Sequence, residues 1–105
     1  MNKTEGVTKI PYGYCDAVRR LSFTGLELRI TFLIMRYSYG CNVPFAKLSY
    51  GDLSKLTGNS LRGVKKAIKS LRKQNAIIVQ SEGAGTANYY CLNERFEEWG
   101  AECEQ

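Results

Sequence analysis

The chain has 105 residues and a net charge of +5, with 44% apolar and 11% aromatic residues. That is enough for one modest core and too apolar for a disordered chain. Residues 1–92 carry 14 Lys/Arg against 5 Asp/Glu, whereas residues 93–105 carry one Arg against 5 Glu, a balance that favours a polyanionic partner for the folded part and disfavours acidic-groove functions.

Catalysis and metal binding find little support. The absence of histidine removes the commonest general base, and Gly83-Ala84-Gly85 lacks the lysine of a phosphate-binding loop. No enzyme and no cofactor is expected. Cys15, Cys41, Cys91 and Cys103 form no Cys-x-x-Cys pair, so they read as small apolar side chains in a reducing cytoplasm and not as zinc ligands. Neither a signal peptide nor an apolar run of about 18 residues is present, which argues against a membrane role.

Residues 1–7 are polar and read as a flexible N-terminus. Pro11 restricts the residue before it and can open a first helix from Tyr12 to Leu21. Tyr14, Ala17, Val18 and Leu21 share one face of it, expected to pack on the next helix. Thr24 followed by Glu27 has capping-box spacing. The helix it predicts, Gly25 to Tyr39, is apolar almost all round and therefore the expected buried centre, with Gly40 as its terminator. Pro44 lies in the following loop, and Lys47-Leu48 can supply one or two strand residues.

Ser49 is placed to cap a short helix that runs to Thr57, and Gly58 to close it in a left-handed conformation. Asn59-Ser60 then caps a second helix, Ser60 to Asn75, on which Leu61, Val64, Ala67 or Ile68, and Leu71 form an apolar stripe. The rest of that helix carries Arg62, Lys65, Lys66, Lys69, Arg72 and Lys73 and no acid. A face built for solubility alone would mix signs, since Glu–Lys pairs four apart each add roughly 0.2–0.5 kcal/mol. Two helices joined by about three residues with a glycine, the second basic, predict a helix-turn-helix.

The apolar run Ala76–Val79 and the segment Tyr89–Leu92 read as two strands around a Gly-containing turn, Ser81–Asn88. A hairpin after a helix-turn-helix makes a wing. Residues 93–105 read as an acidic C-terminal helix or tail, with Asn93 as cap and Phe96 and Trp99 covering the core. The expected fold is mainly α with a small β-hairpin (α+β), a winged helix-turn-helix in a single domain.

Thr8-Lys9-Ile10-Pro11, Thr24-Gly25-Leu26-Glu27-Leu28-Arg29, Arg36-Tyr37-Ser38-Tyr39-Gly40 and Leu48-Ser49-Tyr50-Gly51-Asp52-Leu53-Ser54-Lys55-Leu56-Thr57-Gly58 follow one another in order over nearly the whole chain. With Val64, Ala67, Ile68 and Leu71, this series resembles the N-terminal domain of the bacteriophage replication protein O family. Cys41 and Leu61 depart from it, where the family usually has an aromatic and often Arg or Lys. The resemblance implies an origin-binding winged helix in a bacterial host cytoplasm. It also implies repeated or palindromic duplex sites and recruitment of a helicase or its loader through a region that this sequence lacks, so that the chain is either a fragment or a stand-alone DNA-binding half.

The residues themselves suggest how a duplex would be held. Arg62 is the candidate for bidentate contact to guanine, Lys66 and Lys69 for mixed base and phosphate contact, Lys65 for the same exposed arc and Lys73 for phosphate alone. Asn59 and Ser60 can cap the helix, contact phosphate, or both. Gly63 marks either close backbone approach to DNA or a tolerated glycine in an exposed first turn. Lys47, Ser49 and Lys55 are secondary phosphate candidates, as are Arg19 and Arg20. The wing has Glu82 and no cation, so it is expected to offer at most backbone contacts through Gly83, Gly85 or Thr86. A transcriptional repressor or accessory regulator with the same fold, and a protein-docking winged helix, are the competing functions. A homodimer is a further expectation, because one winged helix reads only a short site.

Overall fold

The computed structural model describes residues 6–81 and 87–101, the side chain of Ser81 excepted. Four helices, α1 (Tyr12–Arg20), α2 (Gly25–Tyr37), α3 (Tyr50–Thr57) and α4 (Leu61–Lys73), accompany three strands, β1 (Ala46–Leu48), β2 (Ile77–Ser81) and β3 (Asn88–Leu92). The strands form one antiparallel sheet in the order β1-β3-β2. The one or two strand residues expected at Lys47-Leu48 thus become a third strand, and both ends of the expected turn, Ser81 and Asn88, belong to the strands. The helix-turn-helix followed by the β2–β3 hairpin gives a winged-helix fold of the α+β class.

Capping residues set the helix limits. At α2 the Thr24 hydroxyl accepts from the Glu27 amide at 3.1 Å, and the Glu27 carboxylate accepts from the Thr24 amide at 2.8 Å. The same box closes around Ser49 and Asp52 at α3, at 2.9 Å in each direction. Helix α2 stops at Tyr37, short of the predicted Tyr39, because the Ser38 hydroxyl turns back to donate to Ile34 O at 2.6 Å. The chain continues through a 3-10 turn, Tyr39–Cys41, to Asn42, which takes a left-handed conformation at φ 56°, beyond Gly40, the terminator expected from sequence. Gly40 instead makes room, since a Cβ there would stand 2.6 Å from Thr8 Oγ1.

Helix α4 ends at Lys73, with Asn75 outside it at φ 60°. The Ala76 amide donates to Leu71 O and the Asn75 amide to Arg72 O, the paired bonds of a Schellman ending with asparagine in place of glycine.

The core joins Ile30, Ile34 and Met35 of α2 to Leu53 of α3, to the inner face of α4 and to Tyr90 and Leu92 of β3. The expectation that α2 is enclosed all round fails at Phe32, which is 49% exposed, since α3 covers only one flank of the helix. Helix α1 packs on α2 as expected, with the Tyr14 ring 5.8 Å from that of Phe32, and it gains a second partner. Tyr14 bonds Thr31 at 2.8 Å, and the helix is also closed from outside by the 3-10 turn Phe96–Glu98 and Trp99. The Trp99 ring stands edge-on to Tyr14 at 5.8 Å, and its Nε1 donates to Asn93 O at 2.8 Å. Trp99 is thus a core residue, and Asn93 both accepts from the Arg95 amide at 3.1 Å ahead of the 3-10 turn and donates to Asn75 O at 2.8 Å, which ties down the end of β3.

Candidate nucleic-acid interface

The sharpest amphipathic division in the molecule runs along α4. Val64, Ala67, Ile68 and Leu71 are buried, while Arg62, Lys65, Lys66, Lys69, Arg72 and Lys73 are all exposed. At about 100° per residue, Arg62, Lys66, Lys69 and Lys73 fall in one row directly opposite the buried stripe. Over eleven residues at about 1.5 Å each, that row is roughly 16 Å long. Lys65 and Arg72 form a flanking row turned toward the start of α3. Among the described residues Arg62, Lys65, Lys66, Lys69 and Arg72 have no acidic partner within ion-pair distance. Leu61, assigned by sequence to the apolar stripe, is 49% exposed instead, because the first helical residue lies on the α3–α4 turn, beyond the end of the core, although its angle is within about 20° of that of Ile68.

The turn before α4 is tightly organised. Gly58 caps α3 at φ 72°, and the Ser60 hydroxyl accepts from the Gly63 amide at 3.1 Å. Capping falls to Ser60 alone. Asn59 does not share it, since its side-chain oxygen faces Arg29 Nη1 at 3.5 Å and its carbonyl accepts from the Ser54 hydroxyl. A Cβ on Gly63 would stand 3.3 Å from Ser60 Oγ and 3.8 Å from Leu26 Cδ2. The glycine therefore has a packing role at the cap, a third account beside the two drawn from sequence. Arg62 lies in the first turn, where a positive charge meets the positive end of the helix dipole, while Arg72 and Lys73 in the last turn complement the negative end.

Tyr50, the first residue of α3, was missed by sequence reasoning. Lys65 Nζ lies 5.4 Å from the centre of its ring, and the two residues line a shallow cleft with Lys69 and Arg72. The signal was available: it follows the cap of the helix that crosses the backbone in a helix-turn-helix. Behind it, buried Asn88 donates to the Tyr90 hydroxyl at 3.1 Å, and burial pushes the Tyr90 phenol above its ordinary pKa.

The secondary candidates separate. Lys55 is exposed in the last turn of α3, and Ser49 is occupied by its cap. The two hydrogen bonds from Ser49 hold the Asp52 carboxyl below its usual pKa. Lys47 belongs elsewhere: flanked by buried Ala46 and Leu48, it points from the sheet face opposite the core, over the Tyr89 ring at 5.7 Å. Arg19 pairs with Asp16, and Arg20 donates to Phe96 O at 2.8 Å and to Trp99 O at 3.3 Å. Glu82, Gly83, Gly85 and Thr86 lie outside the described residues.

The pattern of the bacteriophage replication protein O family matches residues 1–99. The chain belongs to that family. Among curated proteins and among solved structures, none matches the chain. The replication protein O pattern takes in every helix and strand and runs through Trp99, the residue that closes α1 against the core. No helix among the described residues is long and apolar enough to cross a membrane.

Proposed function

We propose that this replication protein O family member is a sequence-specific duplex-DNA-binding domain that recognises a phage-type replication origin in the host cytoplasm, and that it acts by binding and not by catalysis. The observation that carries this reading is the row Arg62, Lys66, Lys69 and Lys73 on the solvent face of the second helix of a helix-turn-helix. An α-helix of this kind fits a major groove. Arg62, nearest the helix start, reaches base edges and favours guanine, Lys66 and Lys69 divide between bases and phosphates, and Lys73 takes phosphate. Lys65, Arg72 and the Tyr50 hydroxyl meet the flanking backbone, with the α3 start at Ser49 beside them. Lys55 is an outlying phosphate contact. A second copy on an adjacent repeat, and a helicase or its loader, are the further partners that this role calls for.

The test is selection of bound fragments from the replicon that encodes the chain, at near-physiological salt so that phosphate attraction does not mask preference. A cluster of short repeats in one intergenic region is the expected result. A single palindrome over a promoter would make the protein a regulator. Uniform, salt-sensitive binding with no enriched fragment would sink sequence-specific recognition.

A further inference from the structure

The outward face of the sheet carries a second group of side chains with nucleic-acid chemistry, on the side turned away from α4. In β3 the residues Asn88, Tyr90 and Leu92 are buried, so Tyr89 and Cys91 alternate outward. The register sets Lys47 of β1 directly across from Tyr89, and its Nζ lies 5.7 Å from the centre of that ring. Phe45, just before β1, stands edge-on to Tyr89 at 6.4 Å and 80°. Tyr37, at the end of α2, has the Arg36 guanidinium 5.1 Å from its ring centre. Tyr37, Phe45, Lys47 and Tyr89 line one shallow cleft of about 470 Å³, with no acidic residue among the described residues of its wall. Glu94 lies farther along the face, near Cys91, and accepts from the Tyr39 hydroxyl at 3.0 Å.

We propose that this cleft is a second binding site, for single-stranded DNA. Three half-exposed aromatic rings within one concave surface offer stacking partners to bases that have been unpaired, which a duplex cannot present. The cations fit the same ligand. Lys47 and Arg36 rest on ring faces that a base would take over, and each has a flexible stem long enough to move from the ring to an adjacent phosphate. A protein partner would gain from the rings but would have to desolvate both cations, and among the described residues the wall supplies no counter-charge. The argument rests on the outer sheet face and does not depend on the duplex reading of α4. Together the two sites allow one molecule to hold duplex on α4 while a separated strand lies across the sheet.

The experiment uses the 105-residue chain and a fluorescent oligo-dT of about ten nucleotides, a length within the range that one small domain covers. The oligomer should bind, and should stay bound when unlabelled duplex saturates α4. Phe45→Leu and Tyr89→Leu keep an apolar side chain but remove the stacking face. Each should weaken oligo-dT binding about fivefold or more, while Phe45→Leu leaves duplex affinity unchanged. Lys47→Gln should flatten the salt dependence of oligo-dT binding by about 0.7 in the log–log slope. If Tyr89→Leu disturbs the central strand, seen by circular dichroism, Phe45→Leu decides alone because it lies outside the strands. Three results overturn the proposal: no oligo-dT binding by the folded chain, displacement of oligo-dT by duplex, or loss of binding on Lys66→Gln/Lys69→Gln with Phe45→Leu unaffected.

Discussion

The row of cations on α4 makes a quantitative demand on salt dependence. Each lysine that neutralises a duplex phosphate contributes about 0.9 to the slope of log affinity against log salt. Lys66 and Lys69 occupy the centre of the row, both exposed and without an acidic partner among the described residues. The double change Lys66→Gln/Lys69→Gln should therefore flatten the slope by about 1.8. Between 50 and 200 mM salt that difference narrows the gap between wild type and variant by about twelvefold. Neither side chain packs on the core, and removing two like charges three residues apart relieves repulsion along α4, so the melting temperature should hold or rise slightly. The assay is fluorescence anisotropy on one duplex at four salt concentrations, with a thermal melt as control. An unchanged slope in a variant that melts like wild type would mean that this row does not face phosphate, and the placement of α4 in the groove would fall with it.

Arg62→Ala should cost about 1–3 kcal/mol of discrimination between the preferred site and a site changed at one guanine, read by competition between the two duplexes; equal loss on both would assign Arg62 to phosphate. Trp99→Ala should destabilise the fold by about 3–5 kcal/mol, seen as a large drop in melting temperature, because it empties the contacts with Tyr14, Phe23 and Phe96 together. Asp52→Asn tests the α3 cap through pH. The folded carboxyl is held below its ordinary value, so its stabilisation is present above the unfolded pKa of about 3.9 and is lost as pH falls through the lower folded value. Thermal melts should show the variant less stable than wild type at pH 7, with the difference closing at about pH 3 and below; a gap independent of pH would show that the charge is irrelevant to the cap. Ser49→Ala, which removes the acceptor for the Asp52 amide, should cost about 1 kcal/mol by chemical denaturation.

Local signals explain what was legible in the sequence. The Thr24–Glu27 capping box, the Ser49 cap, the left-handed Gly58 and the stripe Val64, Ala67, Ile68 and Leu71 depend on residues within a few positions of one another, and each appears where its spacing placed it. The misplacements arise where a distant segment decides. Gly40 reads as a helix terminator until Thr8 is found against it, and the second partner of α1, Trp99, arrives from the far end of the chain. Leu61 satisfies the helical period yet lies on the turn, since period gives an angle and not a depth. At the candidate site, the α4 cations were readable because a helix turns its polar face outward in a predictable way. The separation of Lys47 from them was not, because it depends on which face of a three-stranded sheet meets the core. Tyr50 gains its significance only from the Lys65 side chain above it.

The closure at the end of α4 has a mechanical consequence. Asn75 receives the Asn93 side-chain amide on its carbonyl and donates through its own side chain to Ala101 O at 3.0 Å, while the Gly100 amide donates to Gln74 O at 2.7 Å. The end of α4, the end of β3 and residues 100–101 are therefore tied at one node. In the proposed seating of α4 in a groove, any reorientation of that helix carries the end of β3 and residues 100–101 with it as one piece.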